Sequence, residues 1–262
     1  MRITGDGIWG EPKDLAESKR VLQRLADLGV NLIDTADSYG PEVSERLIGE
    51  TLFPYPADLV IATKGGLTRQ GPNQWAPVGR PEYLVQQLEM SLRRLRVERI
   101  DLYQLHRIDS QVPVEESLGA LKNLQAAGKI RHIGLSEVSE EEIQRAQKTV
   151  RIVSIQNRYN ISDRQSEQAL QYCEQNQIAF IPWAPVASGK LARPGSPLES
   201  IAKKHNASLS QLSIAWLLHR SPVMLPIPGT SSVKHLEENV GAAGLKLSED
   251  EWSQIESAVQ SA

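Results

Sequence analysis

Val30-Asn31-Leu32-Ile33-Asp34-Thr35-Ala36-Asp37-Ser38-Tyr39-Gly40 is the stretch on which the fold reading turns. A short β-branched apolar run ends in an acid, a polar turn follows, and a tyrosine stands five positions after Asp34. A run of this kind is expected of a parallel strand buried on both faces. Asp34 then lies at the strand's C-terminal end and Tyr39 in the loop beyond it. In a barrel of parallel strands, that rim is where sites are built.

Outward from this stretch the same arrangement repeats. Upstream, Asp14 caps a helix whose Leu15, Val21, Leu22, Leu25 and Leu28 share one face, with Gly29 as its stop. Downstream, a helix over 44–52 leads to a strand over 59–63, with Lys64 just past its end. A loop over 65–80 carries Trp75, and Pro81 opens a helix reaching about Val97. The strand over 100–105 ends at His106, the strand over 132–135 at Ser136, and the strand over 152–155 at Gln156. Ser139 with Glu142 forms a capping-box pattern between the last two. A strand over 178–181 ends at Trp183, and a loop rich in Pro, Gly and Ala runs to Ser196. Two helices follow, the second capped by Ser208 with Gln211, then a last strand over 223–227 and its exit loop through Gly229 and Thr230. Helices near 233–242 and from Ser248 close the chain.

Strict alternation of strand and helix, without a break in composition, predicts parallel strands joined by crossovers. Seven strands are clear, and residues 1–3 read as the stub of an eighth. The expected fold is a single (β/α)8 TIM barrel over residues 1–262, its first strand short or truncated. An open doubly wound sheet is the competing arrangement. It requires a phosphate-binding glycine loop after its first strand. Gly5-Asp6-Gly7-Ile8-Trp9-Gly10 spells GxGxxG, but only four residues precede it and Pro12 stands where a helix should open. It reads as a plain glycine-rich loop.

Composition narrows the function classes. Of 262 residues, 40% are hydrophobic and 23% charged, which suits a globular core. The formal charge of −3 gives no reason to expect nucleic acid or an anionic membrane as partner. Cys173 is the only cysteine, so the chain holds no internal disulfide and reads as cytoplasmic. No apolar stretch is long enough to span a bilayer, and no secretion signal opens the chain. The sequence sets no oligomeric state.

The strand ends deliver Asp34, Lys64, His106, Ser136, Gln156, Trp183 and Gly229 to one rim, with Tyr39 in the first loop. Four of these are ionisable groups of complementary type. A phenol has an ordinary pKa near 10, too high to release a proton readily at neutral pH. A nearby cation favours phenolate, and Lys64 can supply it. Asp34 can hold Lys64 charged and in place, and His106 can direct a carbonyl oxygen toward the phenol. Such a group needs a partner that delivers an electron pair to carbon. With no nucleophilic Cys or Ser and no metal-ligand cluster, a hydride-donating cofactor is the missing part.

The segments LIDTADSYG, IATKGG, DLYQLHRID, IRHIGLSE, IQNRYN and IPGTSSVKHLEEN resemble the aldo-keto reductase superfamily, from about Gly10 to the end of the chain. The resemblance implies a TIM barrel that uses NADPH without a Rossmann domain and reduces small carbonyl substrates. It carries the catalytic tetrad onto Asp34, Tyr39, Lys64 and His106. It places the nicotinamide carboxamide against Ser136 and Gln156, the nicotinamide ribose near Asp34, and the stacking aromatic at Trp183. The pyrophosphate loop falls on Ala184, Pro185, Ala187, Gly189 and Lys190. The adenosine end falls on Gly229, Thr230, Ser231, His235, Glu238 and Asn239. Substrate-pocket candidates are Trp9 and Trp75, with Tyr39 and His106; pyridoxal-like aldehydes are one plausible class.

Three positions depart from the family pattern. Glu137 stands where many members carry Asn, which alters a carboxamide contact. His235 replaces an arginine that often grips the 2′-phosphate, which leaves NADH open beside NADPH. The N-terminal strand or hairpin that normally precedes Met1-Arg2 is missing from the sequence, which points to a truncated start or impaired activity. Two other functions fit parts of the pattern: a Schiff-base aldolase using Lys64, and a cofactor-binding regulatory subunit resembling the potassium-channel β-subunits.

Overall fold

The computed structural model describes residues 2–186 and 196–260. The chain divides into two compact units, one of Met1–Ile155 with Gly229–Val233, the other of Gln156–Pro228 with Lys234–Ala262.

In the first unit, α1 (Leu15–Asp27) starts at Asp14, whose carboxylate accepts from the Glu17 N–H at 2.8 Å. Its buried face is Ser18, Val21, Leu22 and Leu25. β1 (Leu32–Asp34) follows, then α2 (Val43–Leu52) and β2 (Val60–Gly65). Lys64 therefore lies within the end of β2, which runs two residues past the Thr63 boundary expected from the sequence. Residues 65–80, expected to be a loop, instead form an antiparallel hairpin of β3 (Leu67–Gly71) and β4 (Gln74–Pro77). Asn73 takes the left-handed turn conformation, with φ 56°, that lets the chain reverse there.

α3 (Pro81–Leu95) begins on its proline and stops at Arg96, φ 57°. β5 (Ile100–Leu105), α4 (Val114–Ala126), β6 (Ile130–Ser136), α5 (Glu140–Gln147) and β7 (Ile152–Gln156) complete the alternation. The Ser139–Glu142 capping box is present at the start of α5. The strands pair in the order β1-β2-β5-β6-β7, and the registers from β1 through β6 are parallel. Ile33 lies opposite Ile61, Lys64 opposite Gln104, and Leu105 opposite Leu135. Ile33, Ile61, Leu105 and Leu135 are buried, each such side chain contributing about 1.5–3 kcal/mol. The registers bring Asp34, Lys64 and Gln104 to the same end of neighbouring strands.

Arg2 and Ile3 are not in a strand, although Ile3 is fully buried. Asp6–Ile8 is a single 3-10 turn with Gly7 at φ 67°, so the GxGxxG string is a loop without the strand and helix a phosphate site requires.

In the second unit, α6 (Glu167–Asn176), β8 (Ala179–Phe180), α7 (Pro197–Lys204), α8 (Leu209–Arg220) and α10 (Glu249–Gln260) surround an aromatic core; α9 (Val233–Gly241) begins on the last residue of the first unit. Tyr159 stacks on Trp216 at 5.9 Å and meets Phe180 edge-on at 5.8 Å. The Trp216 indole N–H donates to Glu256 at 2.7 Å. Ser208 and Gln211 form the second capping box. The expected last strand is reduced to a bridge between Phe180 and Met224, with Phe180 N–H donating to Val223 O and Leu225 N–H to Phe180 O, both at 2.8 Å. Pro226 and Pro228, which carry no N–H, keep the pairing from extending.

Candidate active site

The first unit gathers Asp34, Tyr39, Lys64, His106, Ser136 and Trp75. Lys64 is fully buried, and its Nζ donates to Asp34 Oδ2 at 2.6 Å and to the Thr35 carbonyl at 2.9 Å. Asp34 Oδ1 accepts from Gln104 Nε2 at 3.0 Å, so both carboxylate oxygens are engaged. Burial opposes the lysine charge, but Asp34 and then Tyr39 outweigh it and hold the ammonium above its ordinary range. Lys64 Nζ lies 5.2 Å from the centre of the Tyr39 ring.

His106 meets the Tyr39 ring edge-on at 5.8 Å, and Trp75 lies 6.4 Å from each of them. Burial, reinforced by the charges of Lys64, Arg107 and Arg69, pushes His106 well below the usual histidine value. The imidazole is therefore neutral at neutral pH. Its Nδ1 is 3.3 Å from Ser38 Oγ. Ser136 is buried, and Arg107 Nη1 donates both to its hydroxyl oxygen at 3.2 Å and to the His106 carbonyl at 2.6 Å.

The turn carrying Tyr39 is held from several sides. Gly40 sits at φ 106°, where a Cβ would collide with Val43. Its N–H donates to Ile8 O, and its carbonyl accepts from Gly10 N–H at 2.7 Å. Arg69, from β3, lays its guanidinium 3.6 Å from the centre of Trp75 and 5.5 Å from that of Trp9. It donates to the carbonyls of Gly7, Ile8, Ser38, Gly71 and Gln74. Trp9 thus reaches the group through Arg69 and remains partly exposed.

The other candidates divide between the units. Gly229, Thr230 and Ser231 belong to the first, where Thr230 Oγ1 accepts from Ser232 N–H at 3.1 Å. Gln156, Trp183, Ala184, Pro185, His235, Glu238 and Asn239 belong to the second. There Gln156 is buried, Arg158 lies 5.5 Å over the Trp183 ring, and Ala184, at φ 53°, accepts from Asn160 Nδ2 at 2.8 Å. His235 is exposed. Ala187, Gly189 and Lys190 lie outside the described residues. Among the described residues no cluster of His, Cys, Asp and Glu is suited to a metal, and no helix is long and apolar enough to cross a membrane.

Sequence reading missed Gln104, Ser38, Arg69 and Arg107. Gln104 was within reach: it stands two residues before His106, on the same face of β5, a polar side chain on a buried strand. Arg69 lies in a segment expected to be a loop, and nothing local marks it.

The sequence model of the Aldo/keto reductase family matches residues 1–260. An uncharacterised oxidoreductase of Schizosaccharomyces pombe is 54% identical over 256 residues, covering 98% of this chain and 83% of that protein. Pyridoxine 4-dehydrogenase of Escherichia coli is 38% identical over 262 residues, 98% of this chain and 91% of that one. Among solved structures, a thermostable aldo-keto reductase in complex with the inhibitor epalrestat is 32% identical, with TM-score 0.83 over 98% of this chain and 95% of that one. An aldo/keto reductase from Klebsiella pneumoniae in complex with NADP and acetate is 25% identical, with TM-score 0.80 over 97% and 90%. The chain is an enzyme of the Aldo/keto reductase family, with that family's (β/α)8 barrel fold.

Proposed function

We propose that this protein is a cytoplasmic oxidoreductase of one catalytic domain that reduces the carbonyl of small aldehydes or ketones with NADPH, Tyr39 giving the proton. The observation that carries this is the Lys64 ammonium, sealed from water, bonded to Asp34 and set beside the Tyr39 ring. A fixed cation next to a phenol stabilises the phenolate that proton release leaves behind. Gln104 and Asp34 keep the cation from drifting. His106, neutral and buried, offers a ring nitrogen to orient the carbonyl oxygen. A neutral imidazole can polarise that oxygen without competing with Tyr39 as the acid.

The donor set fits a nicotinamide dinucleotide. Arg107 already fills one lone pair of Ser136, which leaves the serine hydroxyl proton to give to a carboxamide oxygen. Gln156, Trp183, Ala184 and Pro185, with Ala187, Gly189 and Lys190, would hold the nicotinamide and pyrophosphate; Gly229, Thr230, Ser231, His235, Glu238 and Asn239 would hold the adenosine end. When bound, the dinucleotide supplies the hydride. The NADP-complexed relative and the family membership support NADPH first, with NADH second because His235 is not an arginine. The E. coli relative's name makes a pyridoxal-type aldehyde the first substrate to assay.

The test is carbonyl-dependent loss of NADPH absorbance. Tyr39→Phe is expected to lower kcat by roughly 10²–10⁴-fold while retaining NADPH binding. Equal rates for the two proteins would remove Tyr39 from the reaction.

A further inference from the structure

We propose that Ser38 is a positioning residue that fixes His106 in the tautomer carrying its proton on Nε2, so that Nε2 can donate to the substrate carbonyl. The inference rests on the carbonyl-reductase reading above for its catalytic consequence, but not for the tautomer itself.

The geometry is direct. Ser38 Oγ lies 3.3 Å from His106 Nδ1, and both residues are buried. A neutral imidazole has one donor nitrogen and one acceptor, and a hydroxyl has one proton to give. If Ser38 donates to Nδ1, the ring proton must sit on Nε2. If Nδ1 carries the proton instead, the Ser38 hydroxyl proton needs another acceptor, and Nε2 presents a lone pair that repels a carbonyl oxygen. Such second contacts ordinarily decide which imidazole nitrogen is protonated.

The competing acceptor is the carboxyl of Asp37, adjacent in sequence. Both its oxygens are buried and outside hydrogen-bonding geometry among the described residues. Burial, and then the charge of Glu45, pushes that carboxyl well above the usual carboxylate range, against the smaller downward pull of the neighbouring Ser38 N–H and hydroxyl, which weakens its claim on the Ser38 proton. The Ser38 backbone is not free to turn away. Its carbonyl accepts from Arg69 Nη1 at 3.0 Å, and Arg69 is clamped on Trp75.

The experiment uses the full chain with ¹⁵N-labelled histidine, reading the His106 ring nitrogens by NMR, together with steady-state kinetics. Wild type is expected to show protonated Nε2 and unprotonated Nδ1. Ser38→Ala should give mixed tautomers and a kcat lower by roughly tenfold with NADPH affinity unchanged, and Ser38→Thr should restore both. A wild type protonated on Nδ1 overturns the proposal. So does a Ser38→Ala protein whose tautomer and kcat match wild type. A protein that turns over no carbonyl would refute the function proposed above, while the NMR readout would still decide the role of Ser38.

Discussion

At the residue scale, the ionisable groups of the site are pulled in opposite directions by the same burial. Lys64 has an acid bonded to it and keeps its charge. His106 is buried among the cationic charges of Lys64, Arg107 and Arg69 and loses its own. The histidine has a measurable consequence for stability. Its folded value lies well below the ordinary 6.5 of the unfolded chain. Below about pH 6.5 the unfolded state therefore binds a proton that the folded state does not, and stability falls as pH falls through that region. We expect the wild type to lose stability relative to His106→Gln between pH 8 and pH 5, by chemical denaturation at each pH. Parallel curves for the two proteins would contradict the buried neutral imidazole. The placement of Asp34, Lys64 and His106 at strand ends was largely legible in the sequence, because each follows an apolar run. Ser38 and Arg107 were not. They act through single contacts, Ser38 with a ring 68 positions away and Arg107 with a hydroxyl 29 positions away, and periodicity does not encode such contacts.

At the element scale, the unexpected piece is the β3–β4 hairpin. Thr68, Arg69, Trp75 and Ala76 alternate too briefly, and Pro72-Asn73 marks a turn without showing that strands flank it. The helices were easier to read, since Asp14, Ser139 and Ser208 each announce a start through local chemistry. The final strand failed for the opposite reason: its apolar run is real, but its prolines limit the ladder to a bridge. The hairpin matters because Arg69 fastens it to the Gly7–Ile8 turn and to Ser38 with three of its N–H groups and closes it on Gly71 and Gln74 with the other two. Arg69→Ala removes these five carbonyl contacts and the stacking on Trp75. We expect it to raise KM for aromatic aldehydes by roughly tenfold and to lower the melting temperature by several degrees. An unchanged KM, with the fold confirmed by circular dichroism, would show that the hairpin has no part in shaping the pocket.

At the scale of the whole molecule, ligand linkage offers a readout that needs no substrate. A cofactor that binds only the folded chain stabilises it by about 2.7 kcal/mol at a hundred times its Kd. For a protein of this size that corresponds to roughly 5–10 °C in melting temperature. NADPH is expected to produce such a rise and NADH a smaller one. Identical unfolding curves with and without either dinucleotide would sink the assignment of this chain as a dinucleotide-dependent reductase. Strand and helix alternation made the (β/α)8 fold legible, because every crossover must bury one helix face against the sheet. The register of neighbouring strands was not legible, since it is set by packing between distant segments.

The bond between Lys64 and Asp34 has an evolutionary implication. Opposite charges withdrawn from water gain from each other, yet a well-packed apolar pair of similar volume is often as stable or more so. Selection for robustness alone would thus tend to erase this pair. A lineage screened only for heat tolerance should drift toward greasy replacements at both positions, and its survivors would be sturdy and, on the function proposed above, inert.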